Sequence, residues 1–218
     1  VVLVARLCKV CVAIFVFMTG YGYTKSYNSK QEGYKSATCR RYFKLMFSFW
    51  FIFILSMCTS FLGRNPLDVY GRRLPELFLN FFFDMMGIST IMGTPEFNVT
   101  WWYMSYAVLL VFITPLLIKV VKKLGIFTIP LVVLFPRFVT ENMQRAFLWY
   151  LLSLVLGICF AEFNAFEKLN KLALIKKITV FLLGGLIGAL VCILRFQTEF
   201  YDVFDAYLAV MICCTVYC

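Results

Sequence analysis

The sequence predicts an all-α fold, a polytopic bundle of transmembrane helices, and three observations lead there. Of the 218 residues, 62% are hydrophobic and only 15% charged, too little charge to wet the surface of a soluble domain of this length. Apolar runs of bilayer-spanning length recur along the whole chain. The 21 Lys and Arg outnumber the 11 Asp and Glu and gather between alternate runs, as expected of loops kept on the cytoplasmic side.

Spans are expected at residues 3–23, 45–62, 101–118, 121–136, 146–161, 178–194 and 203–218. The remaining run, LPELFLNFFFDMMGISTIMG over 74–93, holds Asp84, two glycines and a proline. Charge decides how to read it. If 74–93 does not cross, loops 24–44, 119–123 and 162–177 share one side and carry thirteen Lys and Arg, against six opposite. If it crosses, that bias vanishes. The segment is therefore expected to be re-entrant or interfacial, with Lys25 to Lys44 on the cytoplasmic side.

The +10 net charge thus serves orientation. No aromatic-interleaved basic patch stands apart from the loops, and no nucleic-acid partner is expected. Nine cysteines lie mostly inside apolar runs, where Cys behaves as a small hydrophobe. Cys8-Lys-Val-Cys11 is a single pair with no histidine anywhere in the chain, so a packed helix face outweighs a metal or redox site. No linker divides the sequence, and residues 1–218 are expected to form one domain, incomplete at both ends because both open within apolar runs.

The first run closes on Thr19-Gly20-Tyr21-Gly22-Tyr23. Gly20 and Gly22 are expected to let the backbone turn or approach a neighbour, with Tyr21 and Tyr23 anchored at the headgroups. Pro115, Pro130 and Pro136 lie in or at the ends of spans and suggest kinks or broken helices. Trp101, Trp102 and Tyr103 read as an interfacial aromatic belt. Asp84 is the best internal candidate for a buried acid; its two readings are a ligand contact from the outer side and, favoured, the wet edge of a re-entrant turn. Glu199, Asp202 and Asp205 are expected to be solvated. Asn98-Val-Thr100 matches a glycosylation acceptor but abuts a span.

Three stretches together resemble the acyltransferase-3 family of membrane-bound O-acyltransferases. KVCVAIFVFMTGYGYTKSY, from residue 9, is similar to that family's second helix, which ends in a Ser-Gly-Phe/Tyr turn; Thr19 stands for the Ser. TCRRYFKLMFSFWF, 38–51, resembles the Arg-x-x-Arg that opens the third helix, with Lys44 in place of the second Arg. FNVTWWYMSYAVLLVFITPLL, 97–117, resembles a Trp-containing span closing on proline, and YLLSLVLGICFAEF, 150–163, adds a weaker match.

The resemblance implies transfer of an acyl group, often acetyl, from cytoplasmic acyl-CoA to a hydroxyl of a surface polysaccharide or lipid-linked sugar, in the bacterial inner membrane. Acyl-CoA is then donor substrate, with no bound cofactor and no metal. Arg40, Arg41 and Lys44 would dock the CoA phosphates, arginine as a bidentate fork and lysine as a point charge; their spacing alone favours positive-inside anchoring or headgroup contact. Asp84, Trp101, Trp102 and Tyr106 would face the acceptor, although Tyr106 stands where many members carry Glu. The hydroxyl needs a base, and the histidine that the family provides is expected in a helix before Val1, so these residues alone should be inactive. A polysaccharide or lipid-linked sugar transporter is the alternative.

Overall fold

In the computed structural model the described residues are 2–30, 33–60, 65–138, 148, 150–195 and 201–217. Among them the protein is all-helical, 89% helix with no strand. Three helical stretches, Tyr34–Thr59, Trp102–Leu134 and Leu174–Val191, are long and apolar enough to cross a membrane. Two shorter apolar helices, Leu151–Glu162 and Val203–Tyr217, overlap other expected spans.

The chain divides into two compact units, one of residues 32–115 and one of residues 1–31 with 116–218. The first contains α2 (Tyr34–Ser60), α3 (Pro66–Tyr70), α4 (Leu74–Met85), α5 (Ser89–Met92), a 3-10 turn (Val99–Trp101) and the start of α6 (Trp102–Leu124). Its core forms where Met46, Phe49 and Phe53 of α2 meet Tyr70, Phe97, Trp101 and Val108. The α2 residues recur at helical spacing, so a single stripe is buried. The opposite face leaves Phe47, Phe51 and Leu55 more than half exposed.

Glycine explains why 74–93 is two helices rather than one. The chain takes φ 66° at Gly87 and φ 67° at Gly93, left-handed values that cost other residues energy. Gly93 caps α5, its N–H donating to the Thr90 carbonyl at 3.3 Å.

The second unit holds α1 (Val2–Lys30), the end of α6, a 3-10 turn (Gly125–Phe127), α7 (Thr128–Phe138), α8 (Leu151–Glu162), α9 (Ala165–Asn170), α10 (Leu174–Arg195) and α11 (Tyr201–Tyr217). Its core centres on α1 against α8. Phe17 meets Phe160 and Phe166 edge-on at 5.4 and 6.2 Å, and Phe166 stacks on Tyr217 at 4.5 Å. A Cβ on Gly20 would sit 2.5 Å from the Leu154 carbonyl oxygen, and one on Gly157 would collide with the Phe17 carbonyl. Glycine is needed at both positions for the backbones to approach.

Several expectations change. The basic segment 24–44 is largely helical: α1 continues to Lys30 and α2 begins at Tyr34, because no proline interrupts it and its Lys and Arg residues favour a helix. The expected spans 101–118 and 121–136 join through the tight turn at Gly125 (φ 58°), so Lys119, Lys122 and Lys123 lie on helical turns instead of a loop. Pro130 falls in the first turn of α7, where its missing N–H breaks no helical bond. Gly22 faces open space, and Tyr23 is buried rather than anchored at a surface. Asp205, expected to be solvated, is also buried. Glu199 and the Asp202 side chain lie outside the described residues.

Candidate functional site

Asp84 is the hub of the first unit. Asn65 opens α3 by accepting the Leu67 N–H at 3.1 Å, and Pro66 fits the first helical position. The short helix ends at Tyr70, whose carbonyl accepts from the Asn80 amide at 2.9 Å. Its ring stands edge-on to Phe81 at 5.9 Å. So held, the Tyr70 hydroxyl donates to Asp84 Oδ2 at 2.6 Å. The Phe97 backbone N–H donates to the same oxygen at 2.8 Å, and the Ser89 hydroxyl reaches Oδ1 at 3.2 Å. Asn80 and Asp84 are one turn apart on the buried face of α4.

Asp84 is only 1% exposed, so the wet-edge expectation is overturned. Three donors from residues 5 to 14 positions away replace the water it loses. Burial still pushes its carboxyl above the usual range, against the pull of those bonds. The same burial and the Asp84 charge push Tyr70 up.

A second acid stands close by. Ser89 Oγ lies 3.4 Å from Glu96 Oε1, and the Thr90 hydroxyl donates to that same oxygen. Ser89 has one proton and two carboxylates to serve. Burial first, and then the Asp84 charge, raise the Glu96 carboxyl. Glu96 is half-buried, which gives it the surface that Asp84 lacks. Sequence reading passed over it because Gly93-Thr-Pro-Glu96 reads as an ordinary turn.

The aromatic residues divide. Trp101 is buried, 5.2 Å from Phe49 and 5.3 Å from Phe53, so it belongs to the core and not to an interfacial belt. Tyr106 is buried as well. Trp102 is half-buried and stands edge-on to Tyr103 at 6.0 Å. Asn98 caps the 3-10 turn, accepting from the Thr100 N–H at 3.0 Å and its hydroxyl at 2.9 Å, which explains Asn98-Val-Thr100 without glycosylation. Trp50 ties α2 to the end of α4, its indole N–H donating to the Met85 carbonyl at 2.9 Å.

Arg40, Arg41 and Lys44 lie inside α2, beyond its first turn, rather than at its start. Arg40 and Lys44 are exposed and Arg41 is half-buried. Positions 40, 44, 47, 48 and 51 follow one helix face. Farther along it a shallow groove of about 630 Å³ is lined by Phe47, Ser48, Trp50, Phe51, Ile52 and Ile54. Cations therefore stand above an apolar groove on the same helix.

In the second unit, Lys25 donates to the Glu167 carboxylate at 2.9 Å and to Asn164 Oδ1 at 2.6 Å. Asn28 donates to Glu162 at 2.8 Å and accepts from Lys122 at 2.8 Å. Lys25 holds the Glu167 carboxyl below its usual range. These bonds fasten helix ends. Among the described residues, no three His, Cys, Asp or Glu side chains come together as a metal site.

No family model matches the chain, and comparison with curated proteins and with solved structures found no similar protein.

Proposed function

We propose that this chain belongs to a multi-pass O-acyltransferase of the bacterial inner membrane, taking an acyl group, typically acetyl, from cytoplasmic acyl-CoA to a hydroxyl of a surface polysaccharide or lipid-linked sugar. One observation carries the reading: Arg40 and Lys44 lie on the helix face that leads to the apolar groove of α2, with Arg41 beside them, which supplies cations for the CoA phosphates and an apolar wall beneath them. The resemblance to the acyltransferase-3 family, the three helical stretches long and apolar enough to cross a membrane, and the expected cytoplasmic bias of the basic residues agree with it.

The reaction breaks the thioester C–S bond and forms an ester C–O bond. The acceptor proton passes to a base, and the thiolate leaves to be protonated as free CoA. The 218 residues contain no histidine to act as that base. On the acceptor side, the buried Asp84, Trp101 and Tyr106 act by holding shape, while Trp102 has surface to offer a sugar ring.

The test is acyl transfer from labelled acetyl-CoA in membranes carrying the protein. Arg41→Ala should lower transfer about tenfold or more, the scale of a lost charge-assisted contact, at unchanged protein in the membrane fraction. Undiminished transfer would show that Arg41 does not dock CoA. Labelled sugar crossing the membrane without acylation would favour the transporter instead.

A further inference from the structure

Residues 165–191 take no part in the acyl-transfer reading, yet they combine two exposed features. The stretch Leu174–Val191 of α10 has only 6% of its residues buried; Leu174, Ile175, Leu182 and Leu186 are each about 70% exposed or more. At about 27 Å, from 1.5 Å per residue, it nearly matches the hydrocarbon thickness of a bilayer. Its beginning is surrounded by lysines: Lys168 and Lys171 precede it, and Lys176 and Lys177 lie in its first turns.

The positive charge there exceeds the nearby negative charge. Glu167, the nearest acid, is already bonded by Lys25 at 2.9 Å. Lys177 is tied to Asn170 at 3.0 Å. Lys168, Lys171 and Lys176 are exposed, and none has a carboxylate within ion-pair distance among the described residues.

We propose that this end of α10 docks an anionic phospholipid, with the phosphodiester against Lys168, Lys171 and Lys176 and the acyl chains along the apolar face of α10. The inference rests on the membrane reading and not on acyl transfer. Charge complementarity selects the occupant: a neutral lipid covers the apolar face equally well but leaves three ammonium groups facing like charge. Lysines without an arginine fork suit a single diester charge on a mobile headgroup. The apolar helix behind them selects a lipid over a soluble anion.

The test solubilises the protein from vesicles of equal phosphatidylglycerol and phosphatidylcholine and measures the lipid retained. Phosphatidylglycerol should be enriched in the wild type. In K168Q/K171Q/K176Q its preference should fall about fivefold or more, as it should in the wild type at high salt. Equal retention of the two lipids by the wild type, or undiminished preference in the variant, would overturn the proposal. So would displacement by inorganic phosphate or free CoA, which marks a soluble-anion site. A protein absent from the membrane fraction sinks the membrane reading together with this one, whereas normal insertion without acyl transfer leaves lipid docking standing.

Discussion

The Phe17 carbonyl of α1 occupies the place that a Cβ on Gly157 of α8 would need. Two backbones meet there, so relief must come from moving a helix rather than turning a side chain. Gly157→Ala is expected to cost about 1–3 kcal/mol or more, with Gly20→Ala behaving alike. Gly22→Ala, facing open space, should be neutral or stabilising, since Ala favours a helix by up to about 1 kcal/mol over Gly. Thermal unfolding of the three variants in detergent separates them, and equal losses would contradict the close crossing.

The Tyr70 hydroxyl is the shortest donor to Asp84, at 2.6 Å. Tyr70→Phe keeps the ring against Phe81 and removes only that bond. The expected loss is about 1.5–3 kcal/mol, the range for a bond to a charged group, read as a lower denaturation midpoint. Asp84→Asn should soften the effect of Tyr70→Phe, because the charge that the phenol serves is then gone.

The pH dependence follows from Glu96. Its carboxyl is raised above 4.5 by burial and then by Asp84, and Asp84 is raised too. The folded state thus holds protons more tightly than the unfolded chain. Stability is highest while both states are protonated and falls as pH rises from about 4.5 through the folded values. Glu96→Gln, permanently neutral, should flatten that decline when unfolding is followed against pH. An unchanged slope would exclude Glu96 as its source.

The sequence made the helical class plain, because a chain so poor in charge cannot wet many helices. It also marked Gly20 as a point of close approach. The Asp84 hub was only half legible: an acid in an apolar run stands out, but its donors at Tyr70, Ser89 and Phe97 arrive through turns that helical periodicity does not describe. Loop boundaries failed at 24–44 for the opposite reason. Charge marks which side a segment faces, yet lysines extend a helix as readily as they fill a loop. Gly20 and Gly22 look alike in sequence, and only the neighbour at Leu154 tells them apart.

Two cysteines offer a direct check on the multi-pass reading. Cys39 and Cys58 are exposed, free thiols near opposite ends of α2, about 28 Å apart along the axis at 1.5 Å per residue. With each kept as the single cysteine, an impermeant maleimide should reach Cys58 from outside intact cells and Cys39 only after the membrane is opened. Labelling of both from one side would mean that α2 lies along the membrane and does not cross it.

The most direct measurement is a titration of the detergent-purified protein with acetyl-CoA, followed by calorimetry. Saturable binding is expected, competed by free CoA and weakened about tenfold or more by replacing Arg41 and Lys44 together with Ala. No binding by the wild type, or equal affinity in that variant, would contradict the placement of acyl-CoA on α2.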